Sequence, residues 1–333
     1  MNILITSTGR RTYMVDYFKD ALDGRGKVFA ANSEMTYALK KADEYVLTPN
    51  IYDTTYVDFL LNYCAVNDIQ AIISLFDIDL PVLAKNKSLF LEKGIKVIVS
   101  DFDFVSVCND KWKTYQFIIN NGFNAPNTFI NLTSVKEALD KCELEFPLII
   151  KPRWGMGSLG IFEAENVEEL ELFYKKTKSA ILKSYLRYES AQNIDESIII
   201  QEKIVGEEWG LDVFNDFDGN YLACVPKRKV AMRAGETDIA EVSTNEELVS
   251  FGSLISSITK HVANMDVDFF IKDGVKYILE FNCRFGGQYP FSHIAGVDFP
   301  RAIVSMLYGE IPYEQCFYYE NCRGFKDLEV KKV

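Results

Sequence analysis

Four short apolar runs in the first hundred residues, at 2–6, 28–31, 71–75 and 96–99, are separated by amphipathic stretches at 11–22, 56–67 and 80–92. Strands that are apolar along their whole length need cover on both faces. Helices between them supply it, so this stretch predicts a parallel sheet covered on both sides. The turn after the first run, Thr6-Ser7-Thr8-Gly9-Arg10-Arg11, can present amides to an anion, but it lacks a GxGxxG fingerprint and reads as an ordinary strand-to-helix turn.

From about residue 109 the texture changes. The pattern predicts a helix at 111–121, extended chain at 127–130, a helix at 133–142 with Thr133 or Ser134 as N-cap, a strand at 146–151 and a Glu- and Lys-rich helix at 166–183. Strands and hairpins then dominate, at 198–201, 210–214, 221–226, 267–271 and 275–281, interrupted by a helix at 246–263. No repeat or long linker divides the 333 residues, a length that suits two or three domains packed as one unit. Hydrophobic residues at 48%, charged residues at 25%, 19 Gly and 9 Pro exclude collagenous and disordered classes. No run approaches the roughly 20 apolar residues of a membrane span, and no basic region precedes the first strand, so a cytoplasmic chain is expected. A net charge of −12 argues against nucleic acid as partner. Seven cysteines without a CxxC pair suit reduced thiols. With only His261 and His293 present, a His-rich zinc site or a Ser-His-Asp hydrolase is disfavoured.

Three clusters carry possible chemistry. Gly155-Met156-Gly157-Ser158-Leu159-Gly160 fits GxGxxG formally, but the strand containing Lys151 enters it and apolar Ile161-Phe162 leaves it toward another strand. That context contradicts a dinucleotide-binding turn and fits a glycine-rich hairpin over phosphates, the alternative being a plain flexible hairpin. A protein kinase is excluded, because its lysine would follow the loop and neither HRD nor DFG occurs. The second cluster, Gln201 to Trp209, sets polar groups and amides at a bend after a buried strand, where they can read an adenine edge; singly, its glutamates read as surface charges. In the third, Asp268 precedes a turn at Lys272-Asp273-Gly274, and Glu280 and Asn282 fall on one face of the returning strand. Asp, Glu and Asn oxygens suit Mg²⁺, whereas a merely solvated strand face leaves the polar interruptions of this apolar hairpin unexplained.

In this order the clusters resemble the ATP-grasp superfamily, especially its carbamoyl-phosphate-synthase-like and carboxylate-amine ligase members. The resemblance implies an α/β and α+β chain: a Rossmann-like pre-ATP-grasp domain at 1–108, a small ATP-grasp lobe with the glycine loop at 109–185, and a C-terminal lobe at 186–333 carrying adenine, metal and substrate sites. By the same resemblance Lys111 and Lys151, with Met156, Gly157 and Ser158 of the loop, meet the phosphates of ATP. Glu202, Lys203 and Ile204 line the adenine pocket, Glu208 holds the ribose, and Asp268, Glu280 and Asn282 bind Mg²⁺ or Mn²⁺. Arg284 lies near the transferred phosphate. Among Lys227, Arg228, Lys229 and Arg233, Arg233 sits closest to the position that reaches the γ-phosphate, a solvated basic edge being the alternative. The implied partners are small carboxylate and amine substrates and a second copy in a homodimer, with no nucleic acid or membrane. The implied reaction is activation of a carboxylate as an acyl phosphate and its joining to an amine; a phosphotransferase or an ATP-binding regulatory module are the alternatives. Where the family commonly has Asn-Pro-Arg this chain has Asn-Cys-Arg, and strand alternation turns Cys283 away from Glu280 and Asn282 as a packed thiol. The substrate pocket is expected between residues 284–289 and the strand ends of the first domain.

Overall fold

The computed structural model describes residues 1–155, 159–191, 193–233, 235–327 and 329–332. The first unit runs β1 (Asn2–Thr6), α1 (Thr12–Leu22), β2 (Val28–Asn32), α2 (Tyr37–Lys41), β3 (Glu44–Leu47), α3 (Tyr56–Val66), β4 (Ile69–Ser74), α4 (Asp79–Lys85), α5 (Lys87–Glu92), β5 (Lys96–Ile98) and α6 (Phe102–Cys108). Its strands pair in parallel in the order β3-β2-β1-β4-β5, a Rossmann-like arrangement. Both faces are covered as the unbroken apolar strands require: Ile3 and Ile5 pack with Met14 and Phe18 of α1, and Leu4 with Leu60 and Leu83 on the other side. The helix expected at 80–92 is broken at Asn86 into α4 and α5. Edge strand β3, whose Glu44, Tyr45 and Leu47 are exposed, gave no apolar signal in the sequence.

The second unit comprises α7 (Lys111–Asn120), β6 (Thr128–Phe129), α8 (Leu132–Asp140), β7 (Leu148–Pro152), β8 (Phe162–Ala164), α9 (Val167–Lys183), α10 (Leu186–Ser190) and β9 (Ile198–Glu202), with an antiparallel sheet ordered β6-β9-β7-β8. Ile150 opposite Phe162 makes the glycine loop a β-hairpin connection, with no helix behind it. Two expectations are corrected. The cap of α8 is Asn131, whose side chain accepts from Ser134 N at 2.9 Å, two residues before Thr133 and three before Ser134. The small lobe extends past 185, because β9 fills the gap between β6 and β7 and the sheet is incomplete without it.

The third unit is β10 (Glu207–Asn215), β11 (Tyr221–Arg233), β12 (Glu236–Val242), α11 (Glu246–Thr259), β13 (Asn264–Lys272), β14 (Val275–Asn282), α12 (Tyr289–Ala295), α13 (Phe299–Leu307) and β15 (Cys322–Phe325). Its antiparallel sheet runs β14-β13-β10-β11-β12-β15. Asp273 and Gly274 turn β13 into β14 with φ of 52° and 78°, the two left-handed residues of a tight hairpin. Helix α11 stops at left-handed Lys260, short of 263, so that β13 can begin at Asn264. Helices α12 and α13 share a core with α1, where Phe18, Phe285, Tyr289 and Phe299 pack together, so the third unit is fastened to the first. Among the described residues no helix is long and apolar enough to cross a membrane.

Candidate active site

Hairpin register sets the centre of the site. Asp268 stands opposite Glu280 and Asp266 opposite Asn282, so period-2 alternation collects all four side chains on one face of β13 and β14. Burial works against the charge on Glu280, but the fields of Lys111, Lys151, Lys229 and Arg284 outweigh it and hold Glu280 below the usual carboxylate range.

Lys111 reaches this face because α7 is tied to the end of β7. Asp110 caps α7 by accepting from Trp112 N and Lys113 N at 3.0 and 3.2 Å, and it also takes Nε and NH2 of buried Arg153 at 2.7 and 2.8 Å. The Lys111 amide donates to Arg153 O at 3.1 Å. The Lys111 Nζ, thus placed, donates to Gly155 O at 2.5 Å and lies 3.8 Å from Glu280. Lys151, two residues before Arg153 on β7, is buried and makes no hydrogen bond or ion pair with the described residues. Burial lowers it to about 8, with Glu280 pulling the other way.

Lys229 on β11 bridges Asp268 at 2.7 Å and Glu208 at 2.9 Å. Burial opposes its charge, and the two carboxylates more than compensate, holding Lys229 above its ordinary range. Gln288 donates to Asp266 and, at 3.1 Å, to Asp268. Burial, then the charges of Asp268 and Asp212, push Asp266 up to about 7. The chain passes close behind: a Cβ at Gly286 would sit 2.3 Å from Asp266 Oδ2, so only glycine fits there.

Arg284 closes the site against the first unit. Its Nε and NH2 donate to Asp77 Oδ2 at 2.9 and 2.8 Å, its NH2 also to Asn282 Oδ1 at 3.2 Å, and its NH1 lies 3.7 Å from Asp266. A cavity of about 260 Å³ opens here, bounded by Lys111, Lys229, Asp268, Glu280, Asn282 and Arg284 on one side and by Arg11 and Asp77 of the first unit on another. This is where the substrate pocket was expected. Cys283 is buried with its Sγ 3.2 Å from that of Cys108, a packed thiol as the alternation indicated.

Other expected residues lie elsewhere. Arg233 pairs with Asp238 on an exposed stretch and does not line the cavity. A bulge in β11 between Lys229 and Ala231 shifts the alternation, so that Lys229 and Met232 face the cavity instead. Glu202 accepts from Asn127 N at 3.2 Å, Lys203 pairs with Glu163 at 2.6 Å and Ile204 is buried, all near the end of β9 and outside the cavity lining. Met156, Gly157 and Ser158 lie outside the described residues. Sequence reasoning missed Arg11, Asp77 and Asp266, reached Gln288 only as part of the range 284–289, and named Lys229 but preferred Arg233. Of the missed residues Asp266 alone carried a signal, as a polar member of an otherwise apolar strand.

The site's chemistry is that of anion handling: three lysines and an arginine around two facing carboxylates and an amide oxygen. Among the described residues no three His, Cys, Asp or Glu side chains converge as a metal cage. Asp268, Glu280 and Asn282 offer instead a sparse set of hard oxygens, which fits a Mg²⁺ that keeps water and phosphate ligands. Neither histidine is available for acid-base work. His261 is buried, bonded to Val213 O and Thr259 Oγ1 at 2.9 Å each, and His293 stacks on Tyr17 at 3.6 Å.

A family profile described as an ATP-grasp domain matches residues 108–288, more than half of the chain. The chain belongs to the ATP-grasp family. A second profile, the PylC-like N-terminal domain, matches residues 3–98 of this ATP-grasp protein. Carbamoyl phosphate synthase large chain of Pseudothermotoga lettingae is 23% identical over 66% of the chain and 20% of its own length. D-alanine--D-alanine ligase A of Bacillus cereus is 27% identical over 57% and 62%. The chain therefore spans about a fifth of the large chains it matches. Two solved structures share the ATP-grasp fold at 18% identity. One is the biotin carboxylase domain dimer of Hydrogenobacter thermophilus 2-oxoglutarate carboxylase, in complex with MgADP, ADP and bicarbonate, with a TM-score of 0.74 over 93% of this chain and 70% of that one. The other is an L-amino acid ligase from Bacillus licheniformis, with a TM-score of 0.68 over 96% and 77%.

Proposed function

We propose that this protein is an ADP-forming carboxylate-amine ligase that uses ATP and Mg²⁺. The observation that carries the reading is one cavity in which Lys111, Lys229 and Arg284 surround the facing pair Asp268 and Glu280, with the first unit as its far wall. Such a site neutralises and aligns a polyphosphate, and among the described residues it offers no paired nucleophile and base for covalent catalysis. Lys111 and Lys151 bind phosphate oxygens together with the loop residues Met156, Gly157 and Ser158. The γ-phosphate role expected of Arg233 passes to Lys229. Glu202, Lys203 and Ile204 receive the adenine and Glu208 the ribose. Asp268, Glu280 and Asn282 would hold the Mg²⁺, which when bound offsets polyphosphate charge; the same oxygen donors accept Mn²⁺.

A substrate carboxylate oxygen attacks the γ-phosphorus, and the bond to the β–γ bridging oxygen breaks to release ADP. Arg284 stands beside the transferred phosphoryl group. The amine then adds to the acyl carbon, phosphate departs with the attacking oxygen, and the surplus proton goes to water. The substrates are small molecules, the seven free cysteines suit the reducing cytoplasm, and the biotin carboxylase likeness extends to a proposed homodimer, which sedimentation checks. The deciding experiment labels the substrate carboxylate with heavy oxygen: ADP and singly labelled phosphate are expected. AMP, or unlabelled phosphate during amide formation, would refute the mechanism, and a released phosphorylated product would make the protein a phosphotransferase.

A further inference from the structure

Almost every charge on the cavity wall is answered by another. Asp77 and Asp266 pair with Arg284, Asp268 with Lys229, Glu280 with Lys111, and Glu236 with Arg10 and Lys326. Two lining side chains stand outside these pairs among the described residues: Glu189 has no cation beside it, and Arg11, although in the field of Asp77 and Asp266, forms an ion pair with neither.

Glu189 stands on α10, which leans on the first unit. Tyr52 OH donates to Glu189 Oε1 at 3.1 Å, and the Tyr52 ring stacks on Tyr188 at 4.5 Å. A phenol is a neutral donor, so the carboxylate is oriented without being neutralised. Burial accordingly raises Glu189 above the usual carboxylate range, with the Tyr52 bond opposing. Arg11 is fixed through one nitrogen, NH1, which donates to Leu75 O at 2.8 Å and Phe285 O at 2.7 Å. Its Nε and NH2 edge, the fork that grips a carboxylate through two bonds, carries no bond to the described residues. Arg284 NH1 donates to the same Phe285 carbonyl at 3.3 Å, so a carboxylate on Arg11 lies beside the arginine assigned to phosphoryl transfer.

We infer that the carboxylate substrate of this cleft is an amino acid, its carboxylate held by Arg11 where it is phosphorylated and its ammonium held by Glu189. This rests on the ligase reading of the same site and names the substrate class. Glu189 thereby excludes carboxylates that lack a positive charge, since the ammonium supplies the only cation that answers it.

The test is calorimetric binding, with Mg²⁺ and a non-hydrolysable ATP analogue present, of free L-amino acids taken singly, each beside its N-acetyl and C-amide derivatives. At least one free amino acid should bind, and both derivatives should bind about tenfold more weakly or worse, the loss expected for a missing charge-assisted contact. Glu189→Gln should weaken the free amino acid about tenfold or more while leaving the N-acetyl derivative unaffected, and Glu189→Asp should recover part of the loss. Because Arg11 also ties two carbonyls, its arm is read from the C-amides on the unaltered protein. Tyr52→Phe separates anchoring from architecture: a discrimination against N-acetyl ligands that survives in this variant supports the inference. A discrimination lost equally in Tyr52→Phe and Glu189→Gln overturns it, as do equal binding of N-acetyl ligands and no binding by any amino acid. Failure to release ADP with any acid and amine would sink the ligase reading instead, and leaves this binding pattern as it was measured.

Discussion

Lys151 and Glu280 divide one electrostatic problem between them. Lys151 is buried, makes no hydrogen bond or ion pair with the described residues and is lowered to about 8, while Glu280 is kept ionised by the surrounding cations. A polyphosphate supplies the charge Lys151 lacks and raises its pKa. Near pH 8 the free protein is about half deprotonated at this side chain, so nucleotide binding should take up about half a proton. Calorimetry in buffers of different ionisation enthalpy reads that uptake, and Lys151→Met should abolish it. Above pH 8 the affinity should fall, because the neutral amine must first be protonated. Lys151, Glu280 and Asn282 were legible because each stands beside a glycine-rich loop or interrupts an apolar hairpin, whereas Lys111 and Arg284 came only from the resemblance of the motifs to the ATP-grasp superfamily. Lys229 was not legible, because strict alternation makes Lys229 and Arg233 equivalent, and only the bulge between them decides which one turns inward. Arg11 and Asp77 were illegible for another reason: their partners lie more than two hundred positions away in the chain.

Elements were readable where the signal was local. The five β-strands and helices bounding the site begin within a few residues of the expected positions, since apolar runs, turn residues and capping asparagines all lie within the segment they define. Cap identity was less secure, as Asn131, Thr133 and Ser134 are all good N-caps. Asn131→Ala should lower stability by about 1 kcal/mol, and Thr133→Ala should stay within about 0.5 kcal/mol, in urea unfolding monitored by circular dichroism. A larger loss at Thr133 would reassign the start of α8. Strands β3 and β15 escaped notice because they are short and mostly exposed; pairing, rather than composition, makes them strands.

At the scale of the molecule, one fastening lies inside the third unit and a second ties that unit to the first. One is buried: Lys227 Nζ meets Asp212 at 2.5 Å and Ser292 Oγ at 2.9 Å, joining β11, β10 and α12 with neither ion exposed. Lys227→Met leaves Asp212 uncompensated and should cost about 3–5 kcal/mol of unfolding free energy, much of it returned when Asp212→Leu is added. A single variant as stable as the parent would contradict the pairing. The second fastening is Arg284 on Asp77, across the border of the two family matches. Asp77→Asn should reduce turnover about tenfold to a hundredfold while the ATP dissociation constant moves less than about twofold, because the proposed nucleotide anchors lie in the other units.

That contact also bears on descent. An arginine from the nucleotide-binding part has its guanidinium aimed by an aspartate from the part in front of it, so neither can drift or be exchanged alone. A chimera that takes its first hundred residues from a relative without this aspartate would inherit a misdirected arginine. It should regain activity only when the acceptor of the guanidinium is transplanted with it, and the two halves of this chain are in that sense one heritable unit.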